Sequence, residues 1–200
     1  YSTFDKSKKV FTGSDIDLIQ TLFKRLEIDI EIVNLPWARL KVEIPRNNYD
    51  CFFSLGKFPD REKYLDYTSI PTHVTKVALF AAKGDHNINL DLSNKTVGVH
   101  RGINLHLDIP SVPNLENATI HKLPSNDILF QMLVAKRVDV VITSQIVGEY
   151  LLQNQHPNFK VDVDVIKNYA LPVYIAFRKG TINISKVNKD MNKIKNASNL

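Results

Sequence analysis

The stretch PWARLKVEIPRNNYDCFFSLGKFPDREKYLDYTSIP, residues Pro36–Pro71, decides the fold of the chain. It predicts a short helix over Trp37–Ile44, a turn at Asn47-Asn48, and a buried strand over Asp50–Leu55. The run CFF within that strand is continuously apolar, as in strands that are covered on both faces. A polar loop follows at once. Because open α/β sheets bind ligands beyond the carboxyl ends of their strands, we expect binding chemistry in this loop.

Three residues at the exit of the predicted strand or just past it are candidates for ligand contact: Ser54, Gly56 and Arg61. Ser54 offers a hydroxyl, and Gly56 lets a ligand approach the backbone closely. Arg61 can grip a carboxylate or phosphate with two parallel hydrogen bonds. The alternatives are a plain turn at Ser54 and Gly56, and a surface arginine that pairs with Asp60 or Glu62.

Strands and helices alternate along the rest of the chain, which favours an α/β fold. Thr12 or Ser14 is expected to cap a helix, and the pattern from Ile28 to Val33 predicts a strand that would complete a strand–helix–strand unit. The helix capped by Thr12 or Ser14 has the apolar stripe Ile16, Ile19, Leu22, Phe23 and Leu26. Further strands are predicted over residues 77–82, 95–99, 118–123, 138–142, 159–166 and 174–177. Further helices are predicted after Ser125, after Thr143 or Ser144, and over residues 182–194.

Composition excludes several classes of protein. Hydrophobic residues make up 44% of the chain and charged residues 24%, as in ordinary globular domains. The net charge of +5 is mild, and no cluster of basic and aromatic residues predicts nucleic-acid binding. No apolar run approaches a membrane span of about 20 residues. Cys51 is the single cysteine, so no internal disulfide is possible, and the scattered histidines predict no metal site.

Five segments carry a resemblance to a known family, the extracellular solute-binding proteins of type 3, which are polar-amino-acid receptors of ABC transporters. In Pro36–Pro71 the resemblance rests on the aromatic before the helix and on the strand exit followed by Pro59-Asp60-Arg61. The other four segments are FTGSDIDLIQTLFKRL (11–26), NKTVGVHRGIN (94–104), AKRVDVVITS (135–144) and VYIAFRKG (173–180). They occur in the family's order over nearly the whole chain.

The resemblance implies a two-lobe, periplasmic-binding-protein-like α/β fold of type II. Residues 1–74 and 172–200 would form one lobe and residues 75–171 the other, each a small mixed sheet flanked by helices, with a two-strand hinge. The implied function is extracytoplasmic binding of a small polar, carboxylate-bearing solute for delivery to the membrane permease of an ABC transporter. We expect a periplasmic monomer without cofactor or catalytic activity. In the family a strand precedes the position that Tyr1 occupies.

The resemblance also implies further ligand-binding residues. Trp37 and Tyr1 would flank the ligand, and the segment from Arg101 to Asn104 would present backbone N–H groups to an anion. The alternatives are a core aromatic at Trp37, a frayed terminus at Tyr1 and a solvent-facing side chain at Arg101.

Ser144 departs from the family's pattern. Amino-acid receptors of this family place an aspartate at this position to hold the α-ammonium group of the ligand, and a serine cannot supply that charge. We therefore expect an organic acid, or another ligand with one anionic end, rather than a standard amino acid. Glu149 is the candidate that would replace the aspartate and keep amino acids possible.

Two other classes of function use the same fold. The chain is alternatively the extracellular sensing domain of a membrane receptor, with its own transmembrane signalling module. It is less readily a dehydratase- or lyase-type enzyme, for which Asp60, Asp127 and Glu149 are candidate acids or bases. No nucleophile–base pair is visible in the sequence.

Overall fold

The computed structural model describes residues 3–5, 10–84, 91–103, 105, 109, 112, 114–115 and 117–198. The chain divides into two compact units. Unit 1 comprises Tyr1–Val74 and Pro172–Leu200, and unit 2 comprises Thr75–Leu171. The chain passes from unit 1 to unit 2 and back again within two of its strands.

The helices of the described residues are α1 (Ser14–Leu26), α2 (Trp37–Glu43), α3 (Pro59–Glu62), α4 (Asn126–Val134), α5 (Gln145–Gln155) and α6 (Ile184–Ser198). The strands are β1 (Thr3–Asp5), β2 (Val10–Thr12), β3 (Cys51–Gly56), β4 (Leu65–Tyr67), β5 (His73–Ala82), β6 (Thr96–His100), β7 (Thr119–Leu123), β8 (Val140–Ser144) and β9 (Val161–Arg178). Strands β5 and β9 each contain a boundary between the two units.

In unit 1, the last part of β9 pairs antiparallel with both β3 and β4. Strands β1 and β2 form a separate antiparallel pair. Helices α1 and α6 cover the inner strands with an apolar cluster. The buried members of this cluster are Ile19, Leu22, Phe23, Leu26, Ile175, Phe177, Val187 and Met191. Strand β3, which carries the candidate site at its end, contacts this cluster through Cys51 and Phe53 and another apolar cluster through Phe52 and Leu55.

Unit 2 contains a mixed sheet in the order β5-β8-β6-β7, and β9 lies next to β5. Strands β5 and β8 are antiparallel, whereas β6 is parallel to both β7 and β8. One face of this sheet packs on α4 and α5, where the rings of Phe80 and Phe130 meet edge to face at 5.3 Å. A second apolar cluster, which includes Leu79, Val99 and Ile142, covers the other face.

Helix α1 confirms its predicted apolar stripe, because all five stripe residues are buried. Its predicted cap is wrong: the residue before the helix is Gly13, with φ 121°, and no side chain caps the helix. A positive φ at this position suits glycine and gives the chain its turn into the helix. Ser125, by contrast, caps α4 as predicted, accepting a hydrogen bond from the backbone N–H of Ile128 at 3.3 Å.

The predicted strand from Ile28 to Val33 is wrong, because residues 28–36 form no strand. Ile28 and Val33 are 41% and 47% exposed, while Ile32 packs against the cluster of α1 and α6. A strand is stable only when a neighbour satisfies its backbone groups, and no described strand pairs with this segment. The strand–helix–strand unit expected here is therefore also absent from the described residues.

The last two predicted strands are one strand. The prediction places separate strands at residues 159–166 and 174–177, whereas β9 runs from Val161 to Arg178 and passes through Pro172 without a break. Beyond the proline, the carbonyl of Val173 accepts from the N–H of Thr72 at 2.7 Å. A strand tolerates a proline at a position where no neighbouring carbonyl needs the N–H group that proline lacks.

Candidate functional site

The strand exit that the sequence singles out is a tight turn into a one-turn helix. Strand β3 ends at Gly56, and α3 begins at Pro59, the residue type best suited to a first helical position. Phe58 precedes the helix in an extended conformation, and its carbonyl accepts from the N–H of Arg61 at 3.0 Å. This local geometry turns the Arg61 side chain back toward the end of β3.

Arg61 is only 3% exposed, which is rare for an arginine. Its Nη1 donates to the carbonyl oxygen of Gly56 at 2.8 Å. The guanidinium carbon lies 5.2 Å from the ring centroid of Trp37 and 4.6 Å from that of Phe58. We call Trp37, Gly56, Phe58, Arg61 and Tyr67 the Arg61 cluster. The rings of Trp37 and Phe58 hold the guanidinium in one place by cation–π attraction.

Tyr67 closes the Arg61 cluster from β4. Its hydroxyl donates to the same Gly56 carbonyl at 3.4 Å, and its ring meets Tyr174 edge to face at 6.1 Å. Burial raises the pKa of the Tyr67 phenol, an effect that the charge of Arg61 reduces only in part. Tyr67 therefore remains a neutral donor at physiological pH.

No carboxylate among the described residues pairs with Arg61. The alternative partner Glu62 instead forms an ion pair with Lys57, whose Nζ lies 3.2 Å from the Glu62 Oε1. A buried guanidinium whose charge is not neutralised is costly, and this cost is relieved by any anion that reaches it. The Arg61 cluster can therefore act chemically as a receptor for an anionic group.

Ser54 lies in β3, two residues before Gly56, and has a left-handed backbone conformation with φ 53°. Its hydroxyl donates to Asp15, a carboxylate that is 2% exposed, and His73 Nδ1 lies 3.0 Å from the other oxygen of Asp15. Burial raises the pKa of Asp15, but the hydrogen bonds from His73 and Ser54 and the charge of His73 outweigh it, so the pKa is below its usual value. The Ser54 hydroxyl is thus engaged inside unit 1.

In unit 2, two of the amide groups predicted to face an anion already have protein partners. The N–H of Arg101 donates to the Leu123 carbonyl at 2.6 Å, and that of Ile103 donates to the His100 carbonyl at 3.1 Å. Gly102 between them has φ 96°, which turns the chain sharply. The side chain of Arg101 is exposed, so a role in binding stays a prediction.

Ser144 ends β8 and directly precedes α5, without capping that helix through its side chain. Its neighbour Thr143 donates to the side-chain oxygen of Asn126 at 3.0 Å. Glu149, the predicted replacement for a missing carboxylate, accepts a hydrogen bond from Gln145 Nε2 at 2.8 Å. Tyr1 and Asn104, the remaining predicted contacts, lie outside the described residues.

A cavity of about 330 Å³ in unit 1 is lined by Val10, Phe11, Gln20, Ile30 and Ile32, and by none of the predicted site residues. In the described part of the chain, no group of three or more His, Cys, Asp or Glu side chains is placed to hold a metal ion. None of the helices in the described ranges has the length and apolar character needed to cross a membrane.

Sequence reasoning missed three residues that shape the strand exit. Phe58 was assigned no role. Asp15 and His73 were assigned no role in the site either. Nothing in the local pattern shows that Ser54, Asp15 and His73 meet, since they come from three separate segments of the chain.

Comparison with known proteins bears on the whole chain. The model of the family "Bacterial extracellular solute-binding proteins, family 3" matches residues 1–200, which confirms the resemblance noted in the sequence. The L-cystine-binding protein TcyA of Bacillus subtilis (strain 168) is 22% identical over 200 residues, which cover 98% of this chain and 72% of that protein.

Two solved structures are similar throughout. An amino acid ABC transporter substrate-binding protein, AbpA from Streptococcus pneumoniae, bound to L-arginine, has a TM-score of 0.79 at 22% identity, covering 99% of this chain and 84% of that one. The ancestral amino acid-binding protein AncCDT-1, a precursor of cyclohexadienyl dehydratase, has a TM-score of 0.78 at 23% identity, covering 99% and 85%. These likenesses confirm the predicted α/β fold of the type II periplasmic-binding-protein kind.

Proposed function

Since the chain belongs to the bacterial extracellular solute-binding proteins, family 3, we propose that it binds a small polar solute bearing a carboxylate and delivers it to the permease of an ABC transporter. The observation that carries this proposal is Arg61. It is buried, spends one N–H group on the Gly56 carbonyl, and has no carboxylate partner among the described residues. A solute carboxylate would supply the missing negative charge.

The surroundings of Arg61 suit it to this role. A guanidinium presents its donors as a planar fork that matches a carboxylate. The rings of Trp37 and Phe58 and the bond to Gly56 restrict that fork before the solute arrives. A preorganised group loses less conformational freedom on binding, which raises affinity without any added contact.

Two classes of carboxylate-bearing solute fit the proposal, and a different observation favours each. The names of the relatives favour a polar amino acid, since they include an L-cystine-binding protein and a receptor bound to L-arginine. Ser144 favours an organic acid, because a hydroxyl does not offset the charge of an enclosed ammonium group. Glu149 would have to leave Gln145, or share its carboxylate, to serve an amino acid.

We also propose that the two compact units are the two lobes, and that β5 and β9, which contain the unit boundaries, are the hinge. Hinge closure around a solute is a common binding motion. Solution scattering should then show a smaller radius of gyration with bound solute, and equal radii in both states would contradict the hinge. Placement outside the cytoplasm, in the periplasm, belongs to the same proposal.

A catalytic role is not part of the proposed function. The Ser54 hydroxyl donates to the Asp15 carboxylate, and His73 Nδ1 lies against the same carboxylate, so the hydrogen bonds described here do not form a serine–histidine nucleophile pair. The other candidate acids are exposed or engaged: Asp60 is on the surface, and Asp127 accepts from Gln155 at 2.6 Å. The alternative of a receptor's sensing domain would use the same binding chemistry and stays a prediction.

The test is a thermal-shift screen of free L-amino acids beside mono- and dicarboxylic acids, followed by calorimetry. A solute present at about 100 times its Kd should raise the stability by roughly 2.7 kcal/mol. Shifts with amino acids alone would contradict the interpretation of Ser144 and assign the missing charge to Glu149 or another carboxylate.

For a solute found in this way, Arg61→Ala should weaken binding by about 2–5 kcal/mol, because a desolvated anion loses its partner. Arg61→Lys keeps the charge but loses the planar fork of donors. Its affinity for the solute should lie between those of wild type and Arg61→Ala. Arg25→Ala is the matched control, since Arg25 is an exposed arginine of unit 1 that pairs with Asp190. Unchanged affinity in folded Arg61→Ala would refute the proposal.

A further inference from the structure

Arg178, the last residue of β9, is a second buried arginine of unit 1, with 7% exposure. Its hydrogen bonds go to main-chain carbonyls instead of carboxylates. Nε donates to Tyr49 at 2.9 Å and Nη2 to Glu43 at 2.8 Å, and the two Nη atoms also donate to Ile44 and Arg46. All four carbonyls lie at the end of α2 or in the turn that follows it.

Helix α2 depends on such support. It has seven residues, and the residue before it, Pro36, provides no side-chain cap. Isolated helices of this length are unstable in water, and the last carbonyls of any helix lack partners within it. Arg178 satisfies carbonyls at this end of α2, and its guanidinium also lies over the ring of Phe52 at 5.3 Å. A single side chain thus fastens the end of the helix to the sheet.

The other end of α2 carries Trp37, one of the two rings that hold Arg61. The helix is continuous between the two ends, and Trp37 and Leu40 pack against the same apolar cluster as Ile44 and Phe52. A short helix that is fixed at one end has little freedom at the other. Releasing its last turn would let Trp37 move away from Arg61.

We propose that Arg178 is a positioning residue for the anion site: by fastening the end of α2, it holds Trp37 against the guanidinium of Arg61. This inference rests on the proposed function in its claim that Arg61 receives an anion. Its claim about Trp37 concerns the solute-free protein and does not depend on any solute. The hydrogen bonds of Arg178 itself go to four main-chain carbonyls.

The chain provides its own reporter, because Trp37 is the single tryptophan. Its emission is measured in the solute-free protein, well below the melting temperature, together with quenching by iodide and by neutral acrylamide. Iodide is the anion probe: the positive charge of Arg61 beside the ring attracts it. The ratio of the iodide to the acrylamide quenching constant should fall in Arg61→Ala, which calibrates the effect.

Arg178→Met should lose the same preference for iodide, shift the Trp37 emission to longer wavelength and increase quenching by acrylamide. Arg178→Lys can donate to fewer carbonyls, so its Trp37 emission and quenching should lie between those of wild type and Arg178→Met. If Arg178→Met does not fold, Arg178→Lys alone provides the test. Met191→Ala is the control, since it removes a buried side chain of unit 1 that lies on α6, away from α2. It should lower the melting temperature and leave the emission and the quenching ratio unchanged.

Emission and quenching of Trp37 that stay at wild-type values in both Arg178 variants would overturn the inference. The same changes in Met191→Ala would also overturn it, because they would show a general loss of stability. Unchanged solute affinity in Arg61→Ala, together with altered Trp37 quenching in Arg178→Met, would refute the proposed function alone. The two proposals therefore fail separately.

Discussion

The buried carboxylate of Asp15 makes the stability of unit 1 depend on acidity. We consider Asp15→Asn, which keeps the size of the side chain and removes its charge. Wild-type Asp15 accepts hydrogen bonds from Ser54 and His73. Hydrogen bonds to a charged group contribute about 1.5–3 kcal/mol each, against roughly 1 kcal/mol for neutral ones. The asparagine retains neutral bonds, so we expect a net loss of about 1–3 kcal/mol at neutral pH.

The dependence on pH follows from the lowered pKa of Asp15. A carboxylate whose pKa is lower in the folded protein stabilises it fully above its unfolded pKa of about 4. This contribution is lost as the pH falls through the folded pKa. The stabilities of wild type and Asp15→Asn should therefore differ at pH 6 to 7, and the difference should begin to shrink as the pH falls below about 4.

The measurement is thermal unfolding followed by the fluorescence of Trp37, which lies in unit 1 together with Asp15. For a chain of this size, 1 kcal/mol corresponds to about 2–4 °C in Tm, so the difference at neutral pH should be roughly 2–12 °C. Asp17→Asn is the matched control, because Asp17 lies in the same first turn of α1 but is exposed. A constant difference between wild type and Asp15→Asn across the acid range would refute this account of Asp15.

Three further predictions concern other parts of the chain. Gly148→Ala should destabilise unit 2 by about 1–3 kcal/mol or more, because an added Cβ would lie 2.2 Å from the ring of Phe80, and an unchanged Tm would contradict the position of that ring. Ser125→Ala should lower stability by about 1 kcal/mol through loss of the α4 cap, measured by urea unfolding against Ser185→Ala on the exposed start of α6. The Cys51 thiol should react slowly with thiol reagents at pH 8 and quickly in denaturant, since burial and the charge of Asp50 raise its pKa, whereas fast native reaction would show an accessible thiolate.

Elements with their own local signal were predictable from the sequence. The apolar stripe of α1 and the cap of α4 each lie within a few residues, so periodicity and side-chain chemistry suffice to place them. The segment from Ile28 to Val33 shows the limit of this reasoning. Its alternation is typical of a strand, but a strand also needs a partner, and partners are set by distant parts of the chain.

The same distinction applies to the site. Arg61 was predictable because it follows a buried strand within a motif of the family. Its confinement between Trp37 and Phe58 was not, since it depends on how α2 packs over the end of β3. Asp15 meets Ser54 across 39 positions and His73 across 58, distances over which a single sequence gives no pairing information.

The pairing of β9 has a consequence for the order in which the protein is made. Strands β3 and β4 leave the ribosome early, yet their shared neighbour, the last part of β9, follows only after all of unit 2 has been synthesised. Until then the apolar residues of β3 lack the strand that completes their sheet. Unit 2 is contiguous and holds its strands β6, β7 and β8 within one stretch of chain. The nascent polypeptide can therefore finish its inserted half while the half that surrounds it is still incomplete.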